Sequence, residues 1–116
     1  AEAVPFPLKT ECCGAAMGIP RRDMTARLTG RILERARAFG VDAVVVACPL
    51  CHMNLDLRQD QAAKACGTTF NMPVLYFTQF MGLALGLPSS ELGLDKLCVS
   101  PEGLLRKIES AKEAQA

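Results

Sequence analysis

The eleven residues from Val41 to Cys51, VDAVVVACPLC, allow few folds, because a β-branched apolar run passes without a break into a helix start. Such a run is short and continuously apolar, which predicts a parallel strand covered on both faces rather than an alternating, half-wet one. Pro49 suits the first turn of the following helix, where its missing N–H has no helical partner to lose. Cys48 therefore stands at the carboxyl end of a strand, and Cys51 lies one turn into the helix. In parallel α/β folds ligands gather at such strand ends.

The other elements read in sequence around this junction. Val4 to Leu8 is a candidate edge strand, since Pro5 and Pro7 remove two ladder donors. Gly14, Gly18 and Pro20 keep the segment after Cys12 and Cys13 loop-like. Met24, Leu28, Ile32 and Ala36 repeat every four residues and predict a helix over 21–39, ended by Gly40. A second helix is expected from Pro49 to Gly67, a strand at 73–77, a short helix over 80–85, and a last amphipathic helix over 102–111 with a frayed tail. LDKLCVS, around Cys98, can form a short fourth strand. The order of strand, helix and strand predicts an α/β class: a three-layer half-sheet domain with mainly parallel strands and crossover helices. A length of 116 residues is one domain's worth.

Charge excludes some partners. Thirteen Lys and Arg face twelve Asp and Glu, and there is no Trp and one Tyr, so neither a phosphate-binding field nor a base-stacking platform is present. The longest apolar runs fall far short of the roughly 20 residues that span a bilayer. No basic, apolar leader opens the chain, and we expect a cytoplasmic location.

The cysteines carry the chemistry. Six of them, Cys12, Cys13, Cys48, Cys51, Cys66 and Cys98, could form disulfides, but the long helical patterns need no staples. Two adjacent cysteines in a Gly-rich loop, then 34 residues, then Cys-Pro-Leu-Cys supply four soft ligands from two loops. Thiolates of this kind select zinc or iron and sulfide. Adjacent cysteines strain a one-metal cage, whereas a multi-iron cluster offers separate positions. The pair Cys48 and Cys51 alone is also compatible with a metal-free dithiol module, and the same four cysteines with a non-catalytic zinc or assembly module. Cys66 and Cys98 read as core packing. His52 reads as a solvent-facing or capping residue or as a neighbour tuning a thiolate, Asp56 and Asp60 as surface ion-pair partners, and Thr78 and Gln79 as polar groups near the same strand end. Phe77, Phe80, Met81, Leu83, Leu85 and Leu87 make a short helix apolar all round, which normally needs cover.

ECCG, VVVACPLCHMNLDLRQ, PVLYFTQFMGLALGL and ELGLDK resemble the C-terminal half of the B subunit of heterodisulfide reductase, in the cysteine-rich family named for its twin-Cys-Gly motif. The likeness runs from Ala3 to Lys96, and its cysteine pattern is shared with iron–sulfur subunits of glycolate and lactate oxidation systems. It also places NLDLRQ, from Asn54 through Asp56 to Gln59, close to the site or to a packing seam. It implies a noncubane 4Fe-4S cluster held by Cys12, Cys13, Cys48 and Cys51, at which a disulfide substrate is reduced. It also implies electrons from other iron–sulfur or flavin-containing subunits, since no G-x-G-x-x-G follows a strand here. The family's pattern has a fifth cysteine farther upstream than the 11 residues preceding Cys12, so the resemblance implies a single C-terminal domain, 1–116, of a longer chain. The missing N-terminal half, or a partner, would supply that ligand, and the isolated chain would be inactive alone.

Overall fold

The computed structural model describes residues 1–115 and is mainly helical. In chain order, a 3-10 turn at Ala15–Met17 leads to α1 (Arg22–Ala38), β1 (Val44–Val46), α2 (Pro49–Leu57), α3 (Gln59–Cys66), β2 (Val74–Tyr76) and α4 (Phe77–Ala84). Two further 3-10 turns precede α5 (Glu102–Gln115). The only sheet among the described residues is the parallel pair β1-β2, in register Val44 with Val74 and Val46 with Tyr76.

This corrects the expected three-layer half-sheet. Val4–Leu8 forms no strand; it enters a turn at 7–10, consistent with two prolines that cannot donate to a ladder. The segment around Cys98 forms no strand either, because the Cys98 and Val99 amides are taken by the Asp56 carboxylate instead of a neighbouring backbone. Two strands of three residues cannot separate two layers of helix, so the helices pack mainly on one another.

α1 and α3 make the largest interface. They approach closely at Gly30, where an added Cβ would collide with the Cys66 sulfur and lie 3.5 Å from the Ala62 carbonyl oxygen. Leu33 and Ala62 are fully buried there, and each buried aliphatic side chain contributes roughly 1.5–3 kcal/mol relative to exposure. The core continues through Ile32, Leu55, Met72 and Val74, and Cys13 is part of it.

Boundaries also differ from expectation. The single helix expected over 49–67 is two, α2 and α3, which meet at Arg58 with φ −103° and ψ 18°. Gly67 ends α3 in the left-handed region at φ 68°, as a C-terminal glycine does. α4 begins at Phe77, directly after β2, and α5 runs through the tail expected to fray. The buried face of α1 is rotated from the predicted stripe: Thr25 and Thr29 are fully buried, while Met24 and Leu28 are only partly so.

Candidate functional site

Cys13, in the loop ahead of the first 3-10 turn, and Cys51, in the first turn of α2, come together. The Cys13 thiol donates to the Cys51 sulfur across 3.3 Å. Cys13 is buried, Cys51 half-buried, and Cys12 and Cys48 are exposed. Cys48 is the residue before the first turn of α2, in extended conformation, with Pro49 opening the helix. The Cys51 and Leu50 amides face the Cys48 sulfur without closing a cap hydrogen bond, and their positive ends hold its pKa below that of an ordinary thiol. Cys51 moves the other way: burial, then its contacts with Cys13 and Cys48, push it up to about 12. Cys12 accepts the Gly14 amide at 3.4 Å. No hydrogen bond among the described residues joins Cys12 to the other three.

Three polar side chains hold the twin-cysteine loop by its carbonyls. Thr29 Oγ1 donates to the Cys13 oxygen at 3.1 Å, and Thr25 Oγ1 donates to the Gly14 oxygen at 2.9 Å. Asn54 Nδ2 donates to the same Cys13 oxygen at 3.3 Å and to Thr29 Oγ1 at 2.8 Å. The Thr29 proton is spent on Cys13, so its oxygen must accept from Asn54, which fixes the amide's orientation. That orientation leaves Asn54 Oδ1 buried with no partner. Gly14 is left-handed at φ 84°, and a Cβ there would meet Leu28 Cδ1 at 2.8 Å, so glycine is required to let the loop lie on α1.

Thr25 and Thr29 were not singled out from sequence; they carry one signal, two hydroxyls at i, i+4 inside an apolar stripe. Asn54 falls in the NLDLRQ segment that the resemblance places close to the site or to a packing seam, and it is buried against the Cys13 carbonyl.

The other candidates divide. His52 Nε2 meets the Val74 carbonyl oxygen at 3.2 Å, and its ring lies 5.8 Å from that of Tyr76. Gln79 Oε1 accepts the Tyr76 amide at 2.9 Å, and Nε2 donates to the Leu92 oxygen. With Pro49, Met53 and Thr78, the side chains of His52, Tyr76 and Gln79 line an open cleft of about 370 Å³. Asp56 is buried and accepts from the Cys98 and Val99 amides at 2.8 and 3.0 Å, so it is no surface ion-pair partner; Asp60 is exposed. Cys66 packs against Gly30, its pKa raised by burial and then by Glu34. Cys98 is exposed rather than part of a core.

The donor chemistry decides whether an iron–sulfur group suits these residues. Two sulfurs on one tetrahedral metal with bonds of about 2.3 Å stand about 3.8 Å apart, so the Cys13–Cys51 separation of 3.3 Å needs only a small adjustment. The neighbouring thiols that oppose Cys51 ionisation would be compensated by a cation. Among the described residues no three His, Cys, Asp or Glu side chains gather closely enough to hold one metal ion, and the sulfurs that meet are those of Cys13 and Cys51. All four cysteines are free soft donors of the kind that zinc and iron–sulfur groups both use.

Residues 1–56 match the family described as "CCG: Cysteine-rich domain". The chain is 39% identical over 95 residues to the 8-methylmenaquinol:fumarate reductase membrane anchor subunit of Wolinella succinogenes, covering 82% of this chain and 34% of that protein. It is 37% identical over 112 residues to the B subunit of the ferredoxin/F(420)H(2)-dependent CoB-CoM heterodisulfide reductase of Methanosarcina acetivorans, covering 93% of this chain and 37% of that one. The B subunit of the ferredoxin:CoB-CoM heterodisulfide reductase of Methanosarcina mazei is 34% identical over 110 residues, with the same 93% and 37% coverage. The chain spans about a third of the length of these relatives, and no helix among the described residues is long and apolar enough to cross a membrane.

Proposed function

From the match to the cysteine-rich domain and the homology to heterodisulfide reductase B subunits, we propose that this chain is the cluster-holding part of an oxidoreductase subunit that reduces a disulfide. Cys12, Cys13, Cys48 and Cys51 are the ligands in this reading, and the cofactor is a 4Fe-4S cluster of the noncubane type. The observation that carries it is the meeting of Cys13 and Cys51, 38 positions apart in sequence, with Cys48 one helical turn away.

When bound, such a group supplies one-electron redox chemistry at a sulfur-philic metal. The chain's own residues do the positioning. Thr25, Thr29 and Asn54 hold the Cys13 and Gly14 carbonyls, and the first turn of α2 favours thiolate at Cys48. Cleaving a disulfide to two thiols takes two electrons and two protons. The electrons come from partner redox subunits carrying iron–sulfur or flavin groups. A remaining polypeptide half or a partner supplies a further cysteine; the complex is cytoplasmic, and this chain itself binds no nucleic acid and does not span a membrane.

Iron, labile sulfide and EPR measured on the native assembly, purified without oxygen, test this reading. The expected result is stoichiometric iron and sulfide with a signal that shifts on adding a disulfide substrate. Zinc alone at full occupancy, with activity retained, would overturn it. Serine at any of the four ligand positions should lower the iron content, while C66S and C98S should not.

The opposed pKa shifts of Cys48 and Cys51 favour a second reading, a metal-free dithiol with Cys48 as the attacking thiol. It predicts activity that survives removal of Cys12 and Cys13.

A further inference from the structure

The two edges of the β1-β2 sheet are treated differently. In this register Val44 faces β2, its amide donating to the Pro73 oxygen at 2.9 Å. By alternation Val74 and Tyr76 point their peptide groups away from β1, and Val45 points its own away from β2. On the β2 side, side chains occupy that outer row: His52 meets the Val74 oxygen, and Gln79 accepts the Tyr76 amide. On the β1 side, no hydrogen bond among the described residues reaches the Val45 N–H or C=O.

Burial repeats the asymmetry. Val74 and Leu75 are fully buried, whereas Val45 is 44% exposed and Val44 and Val46 are only half-buried. Three consecutive valines in a strand with an unpaired edge are a template for pairing, and natural edges are normally blunted by charge, proline or cover. None of the three devices is present from Ala43 to Ala47. The nearest charge in sequence, Asp42, is held by Lys107 at 2.8 Å.

We propose that the open edge of β1 takes one added strand, an extended apolar segment of polypeptide lying outside these 116 residues. Its peptide groups pair with those of Val45, and its side chains are uncharged because the edge they meet is uncharged. A second copy is the poorer occupant. A stable dimer needs roughly 1,200 Å² or more of buried surface, which a three-residue strand does not provide. A segment anchored elsewhere on the same assembly needs no such area, because its local concentration is already high. The relatives have the material: this chain covers only 34% and 37% of the first two. The proposal does not depend on the cluster reading.

Amide hydrogen exchange at Val45 tests it, measured on the isolated 116-residue chain and on the native assembly that carries this sequence. We expect rapid exchange in the isolated chain and exchange slower by roughly a hundredfold or more in the assembly. Rapid exchange in both would overturn the proposal. Protection in the isolated chain that grows with its concentration would overturn it in favour of a second copy, and concentration-independent protection would show an edge closed from within. V45P adds an independent measurement, because proline there removes only the outward N–H and spares the ladder to β2. The isolated variant should retain its helical circular dichroism and melt like the parent, while its recovery in the assembly falls at least about tenfold. Unchanged recovery would overturn the proposal.

Discussion

Replacing Gln59 should separate a structural clamp from a surface polar residue. Gln59 is 3% exposed and makes three bonds to backbone: Nε2 donates to the Leu55 oxygen at 3.1 Å and to the Met72 oxygen at 2.6 Å, and Oε1 accepts the Met72 amide at 2.9 Å. The clamp ties the start of α3 to the chain entering β2, and Met72 is itself buried. In Gln59→Leu each lost bond costs about 1 kcal/mol, and the Met72 N–H and C=O are left unpaired at roughly 1–3 kcal/mol each. Leucine recovers part of this through apolar burial, leaving a net loss of about 3–5 kcal/mol. Against a total stability of roughly 5–15 kcal/mol, urea denaturation would register this as a midpoint lower by about 1 M or more.

Gln59→Glu carries a sharper signature. One carboxylate oxygen still accepts the Met72 amide, but the other faces the Leu55 and Met72 carbonyl oxygens, so the folded state favours the protonated acid and raises its pKa. The stabilisation from that acid is fully present below the ordinary glutamate pKa, about 4.3, and is lost as pH rises through the raised folded value. Relative to the parent, this variant should therefore gain stability as pH falls toward 4, while Gln59→Leu should not. A leucine variant within about 1 kcal/mol of the parent, or a glutamate variant with no such pH trend, would refute the clamp.

In the metal-free, reduced chain, iodoacetamide should label Cys48 at lower pH than an ordinary thiol and well before Cys51, and equal rates at the two by peptide mass spectrometry would contradict the opposed shifts. Cys51 favours its thiol form when folded, so its contribution to stability is intact below 9.0 and lost as pH rises toward about 12. G30A should be stabilising by about 0.5–1 kcal/mol only when combined with C66A, since the gain from replacing a helical glycine is otherwise offset by collision with the Cys66 sulfur. Thermal melts of the double-mutant cycle check the coupling. Asp56→Ala should cost about 2–4 kcal/mol and speed amide exchange at Cys98 and Val99, and unchanged exchange there would show that the carboxylate does not hold them.

Strong local signals were readable from sequence, and distant partners were not. The β1 run, the proline that opens α2, Gly67 at the end of α3 and the left-handed Gly40 after α1 all act through the residue's own backbone preference. The sheet was overestimated because a β-branched run states that a strand forms, not how many neighbours it has. The α2–α3 break at Arg58 escaped because apolar periodicity passes through it. Of the cysteines, type and spacing singled out Cys13 and Cys51, whose sulfurs stand 3.3 Å apart, and Cys48, at the start of the same helix as Cys51. Asn54, Asp56 and Gln59 bond to groups 13 to 43 residues away, and nothing in an i, i+4 pattern announces such a partner.

The two threonines of α1 set a rule for anyone transplanting this centre. Thr25 and Thr29 stand one turn apart, about 6 Å along the helix axis, and grip successive carbonyls of the loop. The spacing of the loop is thus copied from a helical pitch, and a short peptide carrying ECCG beside CPLC would have the sulfurs without the gauge. A scaffold meant to host the four thiols must import the buried face of α1 with them, whereas Ile19, 87% exposed in the connection between loop and helix, lies where residues can be changed freely.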